Sequence, residues 1–447
     1  MQWTGADVVG ILGTRSVVEG ISTDTRSLRP GEIFLALTGD NFDGHDYVEE
    51  AFAAGAVAAI VERWSGHGAG PVLVVESTER ALGLVASNYR QRFDLPVIGV
   101  VGSAGKTTTK EMIAAVLGGT YQVLKSAGSE NNEIGVPKTL LQLNRDHEAV
   151  VLELAARKIG DIRYLCSIAR PTIGVLLNIG SAHLGIFGSV EGVAKAKGEL
   201  LDYQDESCLA LVNADDCVVV KEVKRTKGRL LTFSLERESH FRGEGLVLDQ
   251  EGCGHFSLQQ NSFDLRVPGR HNVYNAVAAI GVGRALSVAW PRLQTALAEF
   301  EPVHLRGDTV SVGGARIIND SYNANPGSML AALETLAAME SEGGRRVAVL
   351  GDMLELGADA LHYHQELGRQ VAAQGIDLLL ATGPLSSGLI DGAIAAGMAA
   401  TQARYFDSCE ELTESLRADI RPADLVLVKA SRGIGLDEVV DALISSN

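Results

Sequence analysis

The chain has 447 residues, 46% of them apolar and 21% charged, without a low-complexity tract, so it is globular and long enough for about three cores of ordinary size. Its formal charge of −17 works against general adhesion to nucleic acid or anionic membrane, and an anionic substrate must be met by locally placed cations. Five scattered cysteines (Cys166, Cys208, Cys217, Cys253, Cys409) form no CxxC pair, which points away from zinc and redox chemistry and towards reduced thiols.

Residues 1–20 lack a basic stretch ahead of an apolar core, and no segment approaches the ~20 apolar residues that a bilayer requires, so a cytoplasmic location is expected. Residues 1–94 mix strand-like runs at 32–37, 56–61 and 72–75 with a helix over 78–93, where Leu82, Val85 and Tyr89 recur at helical spacing. Two polar clusters interrupt them, STDTR at 22–26 and GDNFDGH at 39–45. Both have ordinary turn chemistry; the alternative is a ligand site in which Arg26 and nearby hydroxyls hold phosphate or uracil groups. The step from Asp94 to Pro96 closes this first domain.

An apolar run at 97–101 then passes into Gly102, Ser103, Ala104, Gly105, Lys106, Thr107 and Thr108, a glycine loop opening a helix. This is a phosphate-binding loop in its expected setting: backbone N–H groups close around a triphosphate, Lys106 reaches the outer phosphates, and the Thr107 hydroxyl can ligate Mg²⁺. Its glycine turn is shorter than the strict Walker pattern. Strand-like runs at 150–154, 173–178 and 208–213, with a helix from about Ser189, predict a mostly parallel sheet covered by helices. Residues 230–267 read as a small antiparallel annex, and a helix starts near His271 after the Pro268–Gly269 turn.

From Arg316 the alternation restarts with RIIND, RVAVLGD, DLLLATG, ARYFD and DLVLVKAS, a second α/β unit. No GxGxxG follows these strands, so a dinucleotide site is not indicated. Ligands favour the carboxyl ends of such strands, which directs attention to residues 320–325, 351–355 and 430–432.

Three side chains in the central part invite chemistry. Glu153 closes a buried strand, where a carboxylate needs a partner that a metal would supply. His183, in NIGSAHLG, is a competent though less usual ligand for Mg²⁺ or Mn²⁺, or else a hydrogen-bonded loop histidine. Lys197, in EGVAKAKGE, reads from spacing alone as a solvated lysine; carbamylated, it would offer a metal two anionic oxygens.

The segments GSAGKTTTKE, ENNEIGVPKTLL, NIGSAHLGIFGSVEGVAKAKGEL, PGRHNVYNAVAA, INDSYNANPGSM, VLGDMLELG and VKASRG together resemble the successive signatures of the Mur ligase family, in order along the whole chain. The resemblance implies an α/β protein of three domains: a small UDP-sugar-binding domain (1–94), a central P-loop ATPase domain with a mostly parallel sheet (95–303), and a Rossmann-like substrate domain (304–447). It implies ATP and two Mg²⁺ ions as cofactors, UDP-N-acetylmuramoyl-tripeptide and D-alanyl-D-alanine as substrates, and no nucleic-acid or membrane partner; a monomer is expected.

By resemblance, Lys106 and Thr107 serve the ATP phosphates and the first metal, Glu153 and His183 hold a second, and Lys197 occupies a position carbamylated in the family. Asn132, Asn275, Arg306 and Asp320 match positions around the nucleotide. Ser22, Asp24, Arg26, Asp43 and His45 fall in the UDP-binding segments, while Asn323, Asn325, Ser431 and Arg432 lie where the C-terminal domain meets substrate. The chain departs from the family at Ala155 and Ala430, where glycine is usual, which raises a question of backbone geometry, and at Ser181 and Gly185, where relatives often carry Glu.

The implied reaction is ATP-driven amide formation through an acyl phosphate, with a C-terminal domain that stands open until ligands bind. Alternatives are a family member adding the third amino acid, whose diaminopimelate-selecting forms usually show DNPR in place of YNANPGS, and a P-loop regulatory NTPase, although no guanine-reading [NT]KxD motif is present.

Overall fold

The computed structural model describes residues 18–39, 41–66, 70–341 and 343–445, so most of the N-terminal stretch inspected for a targeting signal, and Asp40 of the second polar cluster, lie outside it. Three large sheets organise these residues, with two smaller antiparallel ones beside them. The first is parallel, in the spatial order Gly20–Ser22, Glu32–Leu35, Ala58–Val61, Val72–Val74, with a hairpin of Thr38–Gly39 and Phe42–Asp43 beside it. The helix that follows, Thr78–Arg90, is capped by Ser77, whose Oγ accepts the Arg80 N–H at 3.2 Å. It stops short of the expected Phe93. The Arg90 guanidinium turns back to donate to the carbonyls of Phe93 (2.6 Å), Leu95 (3.2 Å) and Ala169 (3.3 Å), pinning the crossing into the next sheet.

The central sheet has seven strands, all parallel, in the order Phe241–Arg242, Arg229–Ser234, Leu209–Asn213, Ile173–Leu176, Val97–Val101, Ala149–Glu153, Val123–Lys125. Val97–Val101 is interior and apolar at every position because helices cover both faces. Ile98 and Val100 pack into a core with Met112, Phe233 and Val277, whereas Val97 and Val101 pack with Val150, Leu165 and Leu200 on the other side. The expected annex divides: Arg229–Ser234 extends the parallel sheet, and only Glu244–Leu248, Cys253–Leu258 and Asn261–Pro268 form an antiparallel one. Alternation decides this, since Phe263, Leu265 and Val267 bury one face and leave Ser262, Asp264 and Arg266 exposed.

The third sheet runs Asp308–Val312, Ala315–Asn319, Leu425–Lys429, Arg346–Gly351, Leu378–Thr382, Ala403–Phe406, parallel except for its first edge strand. Leu425–Lys429, last in sequence, lies between Ala315–Asn319 and Arg346–Gly351, so strand order reverses there. The loops at 320–325, 352–356 and 430–432 therefore gather at one crevice, the place where open α/β sheets bind ligands. Among the described residues no helix is long and apolar enough to cross a membrane.

Candidate active site

The P-loop leaves the interior strand at Val101 and enters the helix Lys106–Gly118 through Gly105, whose φ of 80° lies in the left-handed region. A Cβ there would come within 2.6 Å of Asn275 Oδ1, so glycine is required twice over. The loop is clamped to the neighbouring strand end. Asn178 accepts the Ala104 N–H through Oδ1 (2.8 Å), donates from Nδ2 to the Ala104 carbonyl (3.0 Å), and offers its own carbonyl to the Ser103 N–H (3.0 Å). Lys106 folds back, its Nζ donating to the Gly102 carbonyl at 3.0 Å. Burial pulls its pKa below the usual lysine range, Glu153 opposes this, and Arg306 adds to it.

Glu153 is almost fully buried at the end of Ala149–Glu153. The Thr107 hydroxyl donates to its Oε2 at 2.6 Å, and Asn131 Nδ2 donates to its Oε1 at 2.7 Å. Behind them Lys197, 2% exposed, makes no hydrogen bond from its amine among the described residues. Burial, reinforced by the Lys106 charge and opposed by Glu153, pushes its pKa down to about 7. The expectation of a solvated lysine from spacing alone is thus overturned, because the helix Val190–Lys197 turns this side chain inward.

The cavity in front of the loop measures about 670 Å³ and spans two sheets. Ser103, Ala104, Gly105, Lys106, Thr107, Thr108, Glu153, His183 and Asn275 line it from the central part, and Arg306, Asp320, Asn323 and Asn325 from the C-terminal part. Arg306 reaches across to donate to Ser129 Oγ (3.2 Å) with its guanidinium over the Tyr322 ring (4.1 Å). Lys429, buried, holds Asp320 Oδ2 at 2.6 Å and the Asn323 carbonyl at 2.9 Å.

Family models match three successive parts of this chain: "Mur ligase family, catalytic domain" at residues 17–115, "Mur ligase middle domain" at 100–283, and "Mur ligase, glutamate ligase domain" at 305–432. The UDP-N-acetylmuramoyl-tripeptide--D-alanyl-D-alanine ligase of Synechocystis sp. is 39% identical, the match covering 96% of this chain and 93% of that one.

The chain belongs to the Mur ligase family.

Among solved Mur ligases, MurF from Acinetobacter baumannii superposes with a TM-score of 0.89 at 31% identity, covering 99% of both chains. MurF from Thermotoga maritima in complex with ADP gives 0.86 at 29% identity, covering 97% of this chain and 100% of that one.

Not every residue singled out in the sequence of this Mur ligase reaches the cavity. Asn132 does not line it: its Oδ1 accepts the N–H groups of Ile134 (3.2 Å) and Gly135 (2.9 Å), closing a turn, and the preceding Asn131 faces Glu153 instead. Ser431 is buried behind the crevice, its Oγ accepting the Leu354 N–H at 3.0 Å. Arg432 lies on the surface and donates to Asp437 at 2.7 Å. Gly102 sits beneath the loop rather than on its cavity face. Asn325 lines the cavity while also capping the helix Pro326–Ala338, its Oδ1 accepting the Ser328 N–H at 2.9 Å.

The N-terminal residues form a separate group. The Asp24 carboxylate takes the Arg26 N–H (3.0 Å) and grips its guanidinium, which holds the Asp24 pKa down at about 2. Ser22 Oγ donates to the Asp24 carbonyl at 2.9 Å. His45 has both ring nitrogens occupied: Nδ1 pairs with Asp43 at 2.6 Å, and Nε2 accepts the Glu62 N–H at 2.8 Å. It braces the loop and has no ring nitrogen left for a ligand; Arg63, paired with Asp43, is the nearby cation that sequence reasoning missed.

Asn178, Asn131, His271 and Tyr322 also line the cavity without having been singled out. Asn178 carried a signal, a polar residue at the carboxyl end of a buried strand next to the P-loop. The alanine departures carry no strain, since neither Ala155 nor Ala430 has a positive φ. The C-terminal part touches the central part, with the Gly185 N–H donating to the Glu355 carbonyl at 2.9 Å and His183 Nδ1 meeting the Glu355 carboxylate.

Proposed function

We propose that this chain is an ATP-dependent amide ligase that joins D-alanyl-D-alanine to the terminal carboxylate of UDP-N-acetylmuramoyl-tripeptide. The observation that carries it is one cavity with the P-loop on one wall and Arg306, Asp320, Asn323 and Asn325 on the other, so a triphosphate and an acceptor peptide can meet end to end. Near-full-length identity to ligases of this name supports the choice of substrates.

A peptide carboxylate oxygen attacks the γ-phosphorus, the bond to the bridging oxygen breaks, and ADP and an acyl phosphate result. The amine of D-alanyl-D-alanine then attacks the acyl carbon, loses a proton, and phosphate leaves from the tetrahedral intermediate. The protein positions and neutralises, as phosphoryl transfer requires. Lys106 has only to swing from the Gly102 carbonyl onto a phosphate. Closure of the C-terminal part over the cavity keeps water from the acyl phosphate.

Thr107 and Glu153 offer hard oxygen donors beside the loop, which fits Mg²⁺, and His183 lines the same wall. Among the described residues no cluster of three or more His, Cys, Asp or Glu side chains forms a cage. When bound, Mg²⁺ would offset charge building on the transferring phosphoryl group. Burial lowers the Lys197 pKa to about 7, so a share of its amine is unprotonated and can capture CO₂ and lose a proton to become a carbamate close to Glu153 and Lys106.

The test is phosphate release by purified protein with ATP, Mg²⁺ and UDP-N-acetylmuramoyl-tripeptide, with and without D-alanyl-D-alanine. Sustained release only with both substrates is expected. Equal release with neither would reject the ligase reading.

A further inference from the structure

The loop following Arg346–Gly351 is where the C-terminal part touches the central part beside His183. The backbones come so close that a Cβ on Gly185 would lie 2.9 Å from the Gly357 nitrogen, and one on Gly357 would lie 2.8 Å from Gly185 Cα. His183 (φ 58°) and Glu355 (φ 64°) both sit in the left-handed region, which non-glycine residues adopt uncommonly.

The surroundings of Glu355 are unusually firm. Each of the three residues before it is tied to the buried frame of the C-terminal sheet. The Asp352 carboxylate, 1% exposed, accepts the Leu385 N–H (3.0 Å) and the Ser386 hydroxyl (2.6 Å). The Met353 N–H donates to Nε2 of His364, which is fully buried and donates through Nδ1 to the Ala360 carbonyl (2.7 Å). The Leu354 N–H donates to Ser431 Oγ. The Glu355 side chain, about half exposed, projects from this platform onto His183. An exposed ion pair between two mobile chains adds little to stability and would not call for such a mounting.

We propose that Glu355 is a positioning residue that couples closure to the state of His183. By accepting the Nδ1–H, its carboxylate leaves the Nε2 lone pair as the one available to a cation and fixes the ring plane, so the site is complete only when the C-terminal part is docked. This rests on the ligase reading above.

The experiment compares Glu355→Ala, Glu355→Gln and Gly185→Ala with the wild type. It measures kcat, the KM for ATP, and compaction by small-angle X-ray scattering on adding ATP, Mg²⁺ and UDP-N-acetylmuramoyl-tripeptide. For Glu355→Ala, kcat falls about tenfold or more while the ATP KM stays within about twofold, and compaction is reduced. Glu355→Gln, which can still accept the Nδ1–H, recovers part of both losses. Gly185→Ala, which props the backbones apart with Glu355 intact, compacts less. Wild-type kcat and compaction in Glu355→Ala, or no recovery in Glu355→Gln, overturns the proposal. If the wild type makes no amide bond, the ligase reading falls by itself, and compaction with ATP and Mg²⁺ alone decides Glu355: equal compaction in Glu355→Ala overturns the coupling.

Discussion

The P-loop corner and the N-terminal polar loops use the same vocabulary of glycine, hydroxyls, carboxylates and one or two cations, and the fold puts it to opposite ends. Around the P-loop, Lys106 is held by a single backbone carbonyl, Glu153 by a hydroxyl and an amide, and Lys197 has no hydrogen bond from its amine among the described residues. These charges are kept in low-dielectric surroundings without full neutralisation, which is the condition of a site awaiting a charged ligand. In the N-terminal loops the polar groups satisfy one another: Asp24 pairs with Arg26, and Asp43 with Arg63 and the His45 ring. Polar residue types announce a possible site, and the two places differ in how far those residues are already paired.

The sharpest way to break this contrast is at Lys197. Lys197→Ala should lower turnover by about a thousandfold or more, the scale of removing charge stabilisation from a phosphoryl-transfer site, and short carboxylic acids should restore part of it. Absence of rescue, together with a bare amine in electron density of the wild type, would remove the carbamate.

An intermediate effect is expected at His45. His45→Ala leaves the Glu62 N–H without a partner and removes one of several from Asp43, and should cost about 1–3 kcal/mol in urea unfolding, with the ATP KM unchanged. Unaltered stability alongside weaker binding of the UDP substrate would return His45 to the ligand site.

The smallest effect belongs to the exposed pair. Arg26→Ala should let the Asp24 pKa rise from about 2 towards 3.8, observable by NMR titration. A carboxyl depressed in the folded state stabilises above its unfolded value and loses that contribution as pH falls towards 2, so the variant loses less stability than the wild type below pH 4. After solvent screening the difference is under about 0.5 kcal/mol. A pKa still at about 2 in the variant would mean that the backbone N–H, not the guanidinium, holds it.

What could be read from the chain alone follows from locality. The P-loop is one run of consecutive residues whose backbone does the binding, so Gly102 to Thr108 declare it without help from the rest of the chain. Apolar runs separated by helical segments likewise specify parallel sheets, because both faces of each strand must be covered. Other features depended on which way a side chain turns or on meetings between distant segments. Asn131 and Asn132 are equivalent as letters, and only the turn at Ile134 and Gly135 sends one to Glu153 and uses up the other. Lys197 looks solvated until its helix is packed. The frame of Asp352, His364, Ser386 and Ser431 is drawn from four separate stretches of the C-terminal part, and no periodicity marks it as the mounting of Glu355. Tertiary structure decides such matters because burial and hydrogen-bond satisfaction are properties of a place in the fold, and the residues that share a place need not be neighbours in sequence.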